Sequence, residues 1–152
     1  MKVLVIRNAK KNDIPKIIAI QNESATAAHW PESHYGKNLN EPGRLILVAE
    51  QEQSSVLGFL VASIAVKEWE LENIAVSPKT LRRGIGRALV TALIDQAREA
   101  GATEIRQEIR ASNLAAQSLG LSVGFIQEGR RPDYYRDPVE DALLFKHLLG
   151  HP

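Results

Sequence analysis

The chain reads as a mixed α/β domain spanning residues 1–152, with a mostly antiparallel six- to seven-stranded sheet and helices on both faces. Three observations predict this. Apolar, β-branched runs of strand length recur from one end of the chain to the other. Most are joined by connections too short for anything but antiparallel neighbours. One pair, Trp69–Val76 and Glu104–Arg110, is instead separated by a long amphipathic helix, which carries the chain back and makes that pair parallel.

The elements follow in order. Met1–Arg7 holds Val3, Leu4, Val5 and Ile6 and closes on charge, a first strand. Asp13 precedes Ile14-Pro15, a helix start with proline in the first turn, and the helical spacing of Ile14, Ile17, Ile18 and Gln21 continues weakly to Ala28. A loop from His29 to Gly36 follows, with a short helix after Pro31. Arg44–Glu50 and Val56–Val66 form a hairpin around the polar stretch Gln51–Ser55, and Trp69–Val76 extends the same antiparallel run until Ser77-Pro78 breaks it. Between Gly84 and Ala100 the rows Ile85–Leu89–Leu93 and Val90–Ile94–Ala97 mark one buried helix face, and Gly101 caps its end. Glu104–Arg110 is a strand, and Asn113–Leu121 a short helix capped by Ser112 or Asn113. Phe125–Arg131 and Asp141–Leu148 close the sheet around a polar, tyrosine-bearing loop.

Composition narrows the function. Nineteen Lys and Arg against 18 Asp and Glu leave a net charge of +1, far from the basic excess of a nucleic-acid-coating protein. Cysteine is absent, which removes disulfides, thiolate metal sites and a cysteine nucleophile. His29 and His34 lie five apart across a proline, and with His147 and His151 show no metal spacing. No apolar run approaches the ~18 residues of a membrane span, and the N-terminus has too short an apolar stretch for a signal peptide. The expected setting is the cytoplasm, with no metal, membrane or direct nucleic-acid partner.

The stretch from Asn73 to Leu89 carries the chemistry. It is a strand end, a basic turn, two glycines one residue apart, and a strong helix. Glycine lets backbone amides approach a ligand closely, and a helix start offers unpaired N–H groups at the positive end of its dipole. Arg82, Arg83 and Arg87 add charge, so the segment suits a pyrophosphate. It is neither a Walker A loop nor a dinucleotide fingerprint, because there is no G-x-x-x-x-G-K-[ST], and Gly84-Ile85-Gly86-Arg87-Ala88-Leu89 lacks the third small residue. ATP and NAD are thereby disfavoured.

Three blocks resemble the GNAT superfamily of N-acetyltransferases, and within it the ribosomal-protein-alanine N-acetyltransferases: Asn73–Pro78 with Arg83–Arg87, Glu108–Asn113, and Val123-Gly124-Phe125 with Gly129-Arg130-Arg131 and Tyr134-Tyr135. The likeness covers essentially the whole chain. It implies acetyl-CoA as cosubstrate, held through the main chain of Ile74, Ala75 and Val76 at the pantetheine arm and by Arg82, Arg83, Gly84, Ile85, Gly86, Arg87 and Ala88 around the pyrophosphate. Asn113 would touch the pantetheine portion. Glu108 matches the family's general base, and no metal is needed. Trp30 and Tyr35 would border the acceptor groove or simply anchor their loop. Glu72 and Tyr134 join them as acceptor contacts, and Tyr134 and Tyr135 are candidate acids.

The chain departs from the family pattern twice. Leu81 stands where the pyrophosphate pattern opens with Gln or Arg, and Gly120 stands at the tyrosine acid's position. Glu70 and Glu72 are rival bases. The readings that remain are acetyl transfer to a protein N-terminal amine, acetyl transfer to a lysine side chain or small amine, and a non-catalytic acyl-CoA-binding module. Monomer and homodimer are both open.

Overall fold

The structure, a computed structural model, describes residues 3–52, 55–80 and 83–150. Leu81 and Arg82 of the basic turn, and Gln53 and Ser54 of the hairpin turn, lie outside the described residues. The elements are β1 (Leu4–Asn8), α1 (Ile14–Glu23), α2 (Glu32–Asn38), β2 (Arg44–Gln51), β3 (Ser55–Ser63), β4 (Glu68–Val76), α3 (Ile85–Glu99), β5 (Glu104–Arg110), α4 (Leu114–Ser122), β6 (Ile126–Tyr135) and β7 (Glu140–Leu148). The seven strands form one sheet in the order β1-β2-β3-β4-β5-β7-β6. Only β4 and β5 run parallel among these pairs.

Each face of the sheet is covered by helices because each strand's apolar residues alternate. Leu47, Leu60, Trp69, Leu71, Ile105 and Phe145 point to one side, where α3 lays down Ile85, Leu89, Val90, Leu93, Ile94 and Ala97. Burying a side chain of that size contributes about 1.5–3 kcal/mol. On the other side Val48, Phe59 and Val61 receive Ile14, Ile17 and Ile20 of α1 and Tyr35 of α2.

Three expected boundaries move. α1 ends at Glu23 and not near Ala28, because Ser24 turns extended (φ −90°, ψ 130°) and its Oγ accepts the N–H groups of Thr26 and Ala27. β3 stops at Ser63, where Ile64 donates its N–H to Gly43, and Val66 is left exposed. Tyr134 and Tyr135 lie on β6 and not in a loop: the strand continues past Arg131 through a register break, and Tyr135 pairs with Glu140. Asp133 adopts φ 51° inside that break, its N–H bonded to Asp141 Oδ1.

The site is set by two irregularities of β4. Its register against β3 jumps from Leu71↔Ala62 to Asn73↔Val61, so Glu72 is an extra residue. A bulge of one residue reverses which side of the sheet the later side chains face. Trp69 and Leu71 accordingly face α3, whereas Asn73 and Ala75, although of the same parity, face α1 and α2. In addition, the parallel ladder with β5 ends at Leu71↔Gln107, while β4 stays paired with β3 as far as Val76. Beyond Gln107 β5 pairs with β7 alone. The two strands part, and the β5-facing edge of residues 72–76 has no strand partner.

Candidate active site

The parting strands enclose a cleft of about 700 Å³. Leu71–Ile74 line one side and Gln107–Arg110 the other, with the loop Ala25–His29 on the α1–α2 face and Asn113 and Ala116 at the start of α4. Tyr135, Pro138 and Glu140 close the far end.

Glu108 sits on β5 one residue beyond the last β4–β5 pair, so its carboxylate lines the cleft. Its side chain retains 28% of its exposure, with Arg131 Nη1 at 3.7 Å from Oε1. The rival bases are placed differently. Glu72 is bound to Arg44, itself also paired with Glu41. Glu70 stands before the bulge and outside the cleft lining. Burial, and the neighbouring charges of Glu72, Glu108 and Glu68, push its carboxyl above the usual range.

Of the two tyrosines only Tyr135 reaches the cleft. Arg110 stacks over its ring at 4.3 Å, and Tyr134 packs against it edge-on with centroids 5.2 Å apart. Burial raises the Tyr135 phenol above its ordinary value, and the charge of Glu108 adds to this while Arg110 opposes it. Tyr134 is largely exposed at the rim, beneath Arg131.

Glu140, across the ladder from Tyr135, braces this end. Its Oε1 accepts the Ser112 N–H at 2.9 Å, and its Oε2 accepts Ser112 Oγ–H and Arg110 Nη1–H, both at 3.1 Å. The backbone and hydroxyl donors of Ser112 hold its carboxyl below the usual range. Sequence reasoning missed Glu140, Arg110 and Arg131. The signal available for Glu140 was its position at the start of β7, opposite Tyr135.

The segment expected to hold the cosubstrate begins at a glycine turn. Gly84 caps α3 in the left-handed conformation (φ 76°), and among the described residues a Cβ there would meet no atom within 4 Å. The backbone therefore turns into open space where the first N–H groups of a 15-residue helix lack partners within it. Arg83 and Arg87 are exposed beside this turn, and Ala88 lies one turn in. Arg82 lies outside the described residues. The side chains of Ala75 and Ile85 are buried in the two cores, leaving only their main chain for a ligand. Ile74 lines the cleft, and Val76 packs beside Gly86. Asn113 lines the cleft too, but its Oδ1 is engaged as the α4 cap, accepting the Ala116 N–H at 3.1 Å.

Tyr35 is not a substrate contact. It has 0% exposure, and its hydroxyl is bonded to Gln21 in the core. Trp30 stacks on His34 and Tyr35 and is absent from the cleft lining. Both serve as anchors of their loop. Gly120 is buried, and its missing Cβ would point at Phe125 and Phe145, each 3.5 Å away, so this helix face belongs to the core.

Known proteins share this fold and much of this sequence. Residues 14–125 match the family described as Acetyltransferase (GNAT) family. The chain is 33% identical over 141 residues to [ribosomal protein bS18]-alanine N-acetyltransferase of Escherichia coli (strain K12), covering 91% of this chain and 93% of that one. It is 33% identical over 127 residues to N-alpha-acetyltransferase RimI of Mycobacterium tuberculosis, covering 81% and 78%. Among solved structures, the ribosomal-protein-S18-alanine N-acetyltransferase from Escherichia coli superposes with a TM-score of 0.87 at 30% identity, covering 99% of this chain and 96% of that one. Ard1 from Thermoplasma volcanium superposes with a TM-score of 0.86 at 25% identity, covering 97% and 99%. A third, yncA from Salmonella typhimurium at 24% identity, is a structure with its cofactor acetyl-CoA and shares the fold with a TM-score of 0.82. With its strand-parted cleft and glycine-capped helix, the chain belongs to the GNAT family of acetyltransferases and is an N-acetyltransferase.

Proposed function

We propose that the chain transfers an acetyl group from acetyl-CoA to the α-amine of a protein N-terminus, with the N-terminal alanine of ribosomal protein bS18 as the leading acceptor. The observation that carries this reading is the cleft itself. Glu108 and Tyr135 line it together with the open edge of β4, which leads to the glycine-capped start of α3, and this supports the reading. Similarity over nine-tenths of the chain to an enzyme named for that acceptor supports the choice.

The chain's residues fit acetyl-CoA. The N–H groups at the start of α3 and the arginines Arg83 and Arg87 suit a pyrophosphate. The unpartnered edge of β4 from Glu72 to Val76 offers main-chain groups to an extended amide-bearing arm, much as a missing strand would. When bound, acetyl-CoA supplies an acetyl group activated as a thioester.

An amine attacks only in its neutral form, so a carboxylate near the acceptor must take the ammonium proton. Glu108 Oε1 or Oε2, directly or through a water, is that acceptor. Main-chain N–H groups on the open edge of β4 donate to the carbonyl oxygen as negative charge builds there. Tyr135, kept protonated by burial, donates a proton to the departing sulfur in place of the hydroxyl missing at Gly120. The exposed Tyr134 contacts the peptide at the rim. The acidic residues Glu72 and Glu108 of the cleft lining, with Glu70 behind them on β4, favour a cationic N-terminus over a neutral one.

The test is CoA release followed with a thiol-reactive dye, since the protein has no thiol of its own. The panel contains free-N-terminal peptides beginning with Ala, Ser, Gly or Met, and N-blocked peptides carrying lysine. Release with free N-termini, greatest for Ala, is expected. Release only with lysine or small amines would overturn the acceptor assignment.

A further inference from the structure

The cleft's acceptor wall, the loop from Ser24 to Pro31, has no strand or helix of its own. Its main chain is instead held by two buried side-chain amides. Asn73 Oδ1 accepts the Ala28 N–H at 3.1 Å, and Asn73 Nδ2 donates to the Ala28 carbonyl at 3.0 Å. Gln21 Oε1 accepts the Trp30 N–H at 3.1 Å, and Gln21 Nε2 donates to the Trp30 carbonyl at 2.7 Å. Each amide thus pairs with both main-chain groups of one loop residue, as a neighbouring strand would. The Tyr35 hydroxyl joins the two, donating to Gln21 Oε1 and accepting from Asn73 Nδ2 at 3.4 Å. Gln21, Asn73 and Tyr35 are 2%, 5% and 0% exposed.

The two halves have separate origins. Asn73 reaches Ala28 only because the extra residue Glu72 turns it away from the α3 face. Gln21 comes from the last turns of α1, does not line the cleft, and is remote from the glycine turn at α3. The wall they hold presents Ala25, Thr26, Ala27, Ala28 and His29 to the cleft that Glu108 also lines, all but His29 small.

We infer that Gln21 and Asn73 are positioning residues that fix this wall at a set distance from β4, and that this fixed distance sets acceptor affinity and discrimination at the acceptor's first residue. The inference rests on the acceptor entering from the α1–α2 face. Buried hydrogen bonds inside a packed network hold a wall rigidly, whereas their loss releases a segment with no other ladder to keep it in place.

The experiment uses the chain carrying Gln21→Met, which keeps length and apolar volume but removes both bonds to Trp30 and the one from Tyr35, and Asn73→Leu, which removes both bonds to Ala28, as a second variant should the first not fold. Amide hydrogen exchange is read at Trp30 for Gln21→Met, or at Ala28 for Asn73→Leu, alongside steady-state kinetics with Ala-first and Met-first peptides. The expected result is faster exchange at that amide, a peptide KM raised about tenfold as the wall loosens, and an unchanged acetyl-CoA KM. The ratio of kcat/KM between the two peptides moves toward unity. A folded variant with faster exchange, but with unchanged peptide KM and ratio, would overturn the inference. So would a rise in KM shared equally by acetyl-CoA. If the unsubstituted chain acetylates lysine peptides and no free N-terminus, the N-terminal assignment fails. The same KM comparison, run with the lysine peptide, then decides the clamp separately.

Discussion

Leu71 and Gln107 are the last residues paired across the parallel ladder of β4 and β5, and the cleft begins where their strands stop touching. The next residue on each strand is a glutamate, Glu72 and Glu108. Both line the cleft, but Glu72 is tied to Arg44, whereas Glu108 has Arg131 at 3.7 Å. Their ion pairing therefore distinguishes two carboxylates at matching positions on the two strands.

Replacing Glu108 tests that separation. Glu108→Gln keeps size and hydrogen bonding but cannot take a proton. Turnover should fall by about 10²–10⁴-fold, the range for a lost general base, with little change in acetyl-CoA affinity. Steady-state kinetics and calorimetric cosubstrate binding on the same sample measure both. Full turnover would remove Glu108 from the mechanism.

Tyr135 makes a spectroscopic prediction. The chain has three tyrosines, so Tyr134→Phe leaves Tyr35 and Tyr135. Tyr35 is pushed up to about 12 by burial, and Tyr135 is raised by burial and by Glu108. Phenolate absorbance should therefore develop only above the ordinary value of about 10. Adding Glu108→Gln should lower the Tyr135 transition, because it removes a negative neighbour. As an acid, Tyr135 must hold its proton, so its raised pKa keeps any alkaline loss of kcat above that same value. Tyr135→Phe should reduce kcat, and an unchanged kcat would leave the acid role to water.

Gly84 should tolerate little, for backbone reasons. Space is open around its α-carbon, but φ is 76°, where a side chain costs about 1–2 kcal/mol. Gly84→Ala is expected to lower the melting temperature by several degrees with a folded far-UV spectrum. Gly84→Trp should also abolish acetyl-CoA binding, since its ring extends into the space above the α3 start. Retained binding would contradict the pyrophosphate site.

Glu70 carries charge at a stability cost. Its folded pKa lies above the unfolded one, so the penalty is absent below the unfolded value. It grows as pH rises between the two values and is complete above the folded one. Glu70→Gln should thus raise the melting temperature at pH 7, with the gain shrinking toward pH 4. The same variant should raise KM for cationic peptides as the acidic field weakens. A melting curve equally shifted at both pH values would mean that charge is not the cause.

Strand and helix order was legible from periodicity, because alternation of two and spacing of three to four each dictate one backbone. The Ile85–Ala97 stripe packs as its spacing implies. The glycine turn was legible too, since a left-handed residue before a helix favours glycine. Other features were not. Periodicity treats Trp69, Leu71, Asn73 and Ala75 as one face, whereas a single unpaired residue, set by register against β3, divides them between two. The polar look of the tyrosine segment hid a strand that pairing with β7 sustains. Gln21 and Asn73 leave no trace in a sequence pattern: an amide in a helix and an amide in a strand gain meaning only when folding brings each against the main chain of the same loop. Local backbone preference resides in neighbouring residues and can be read from them. Register, strand parting and side-chain clamps depend on residues tens of positions apart, and packing alone brings those together.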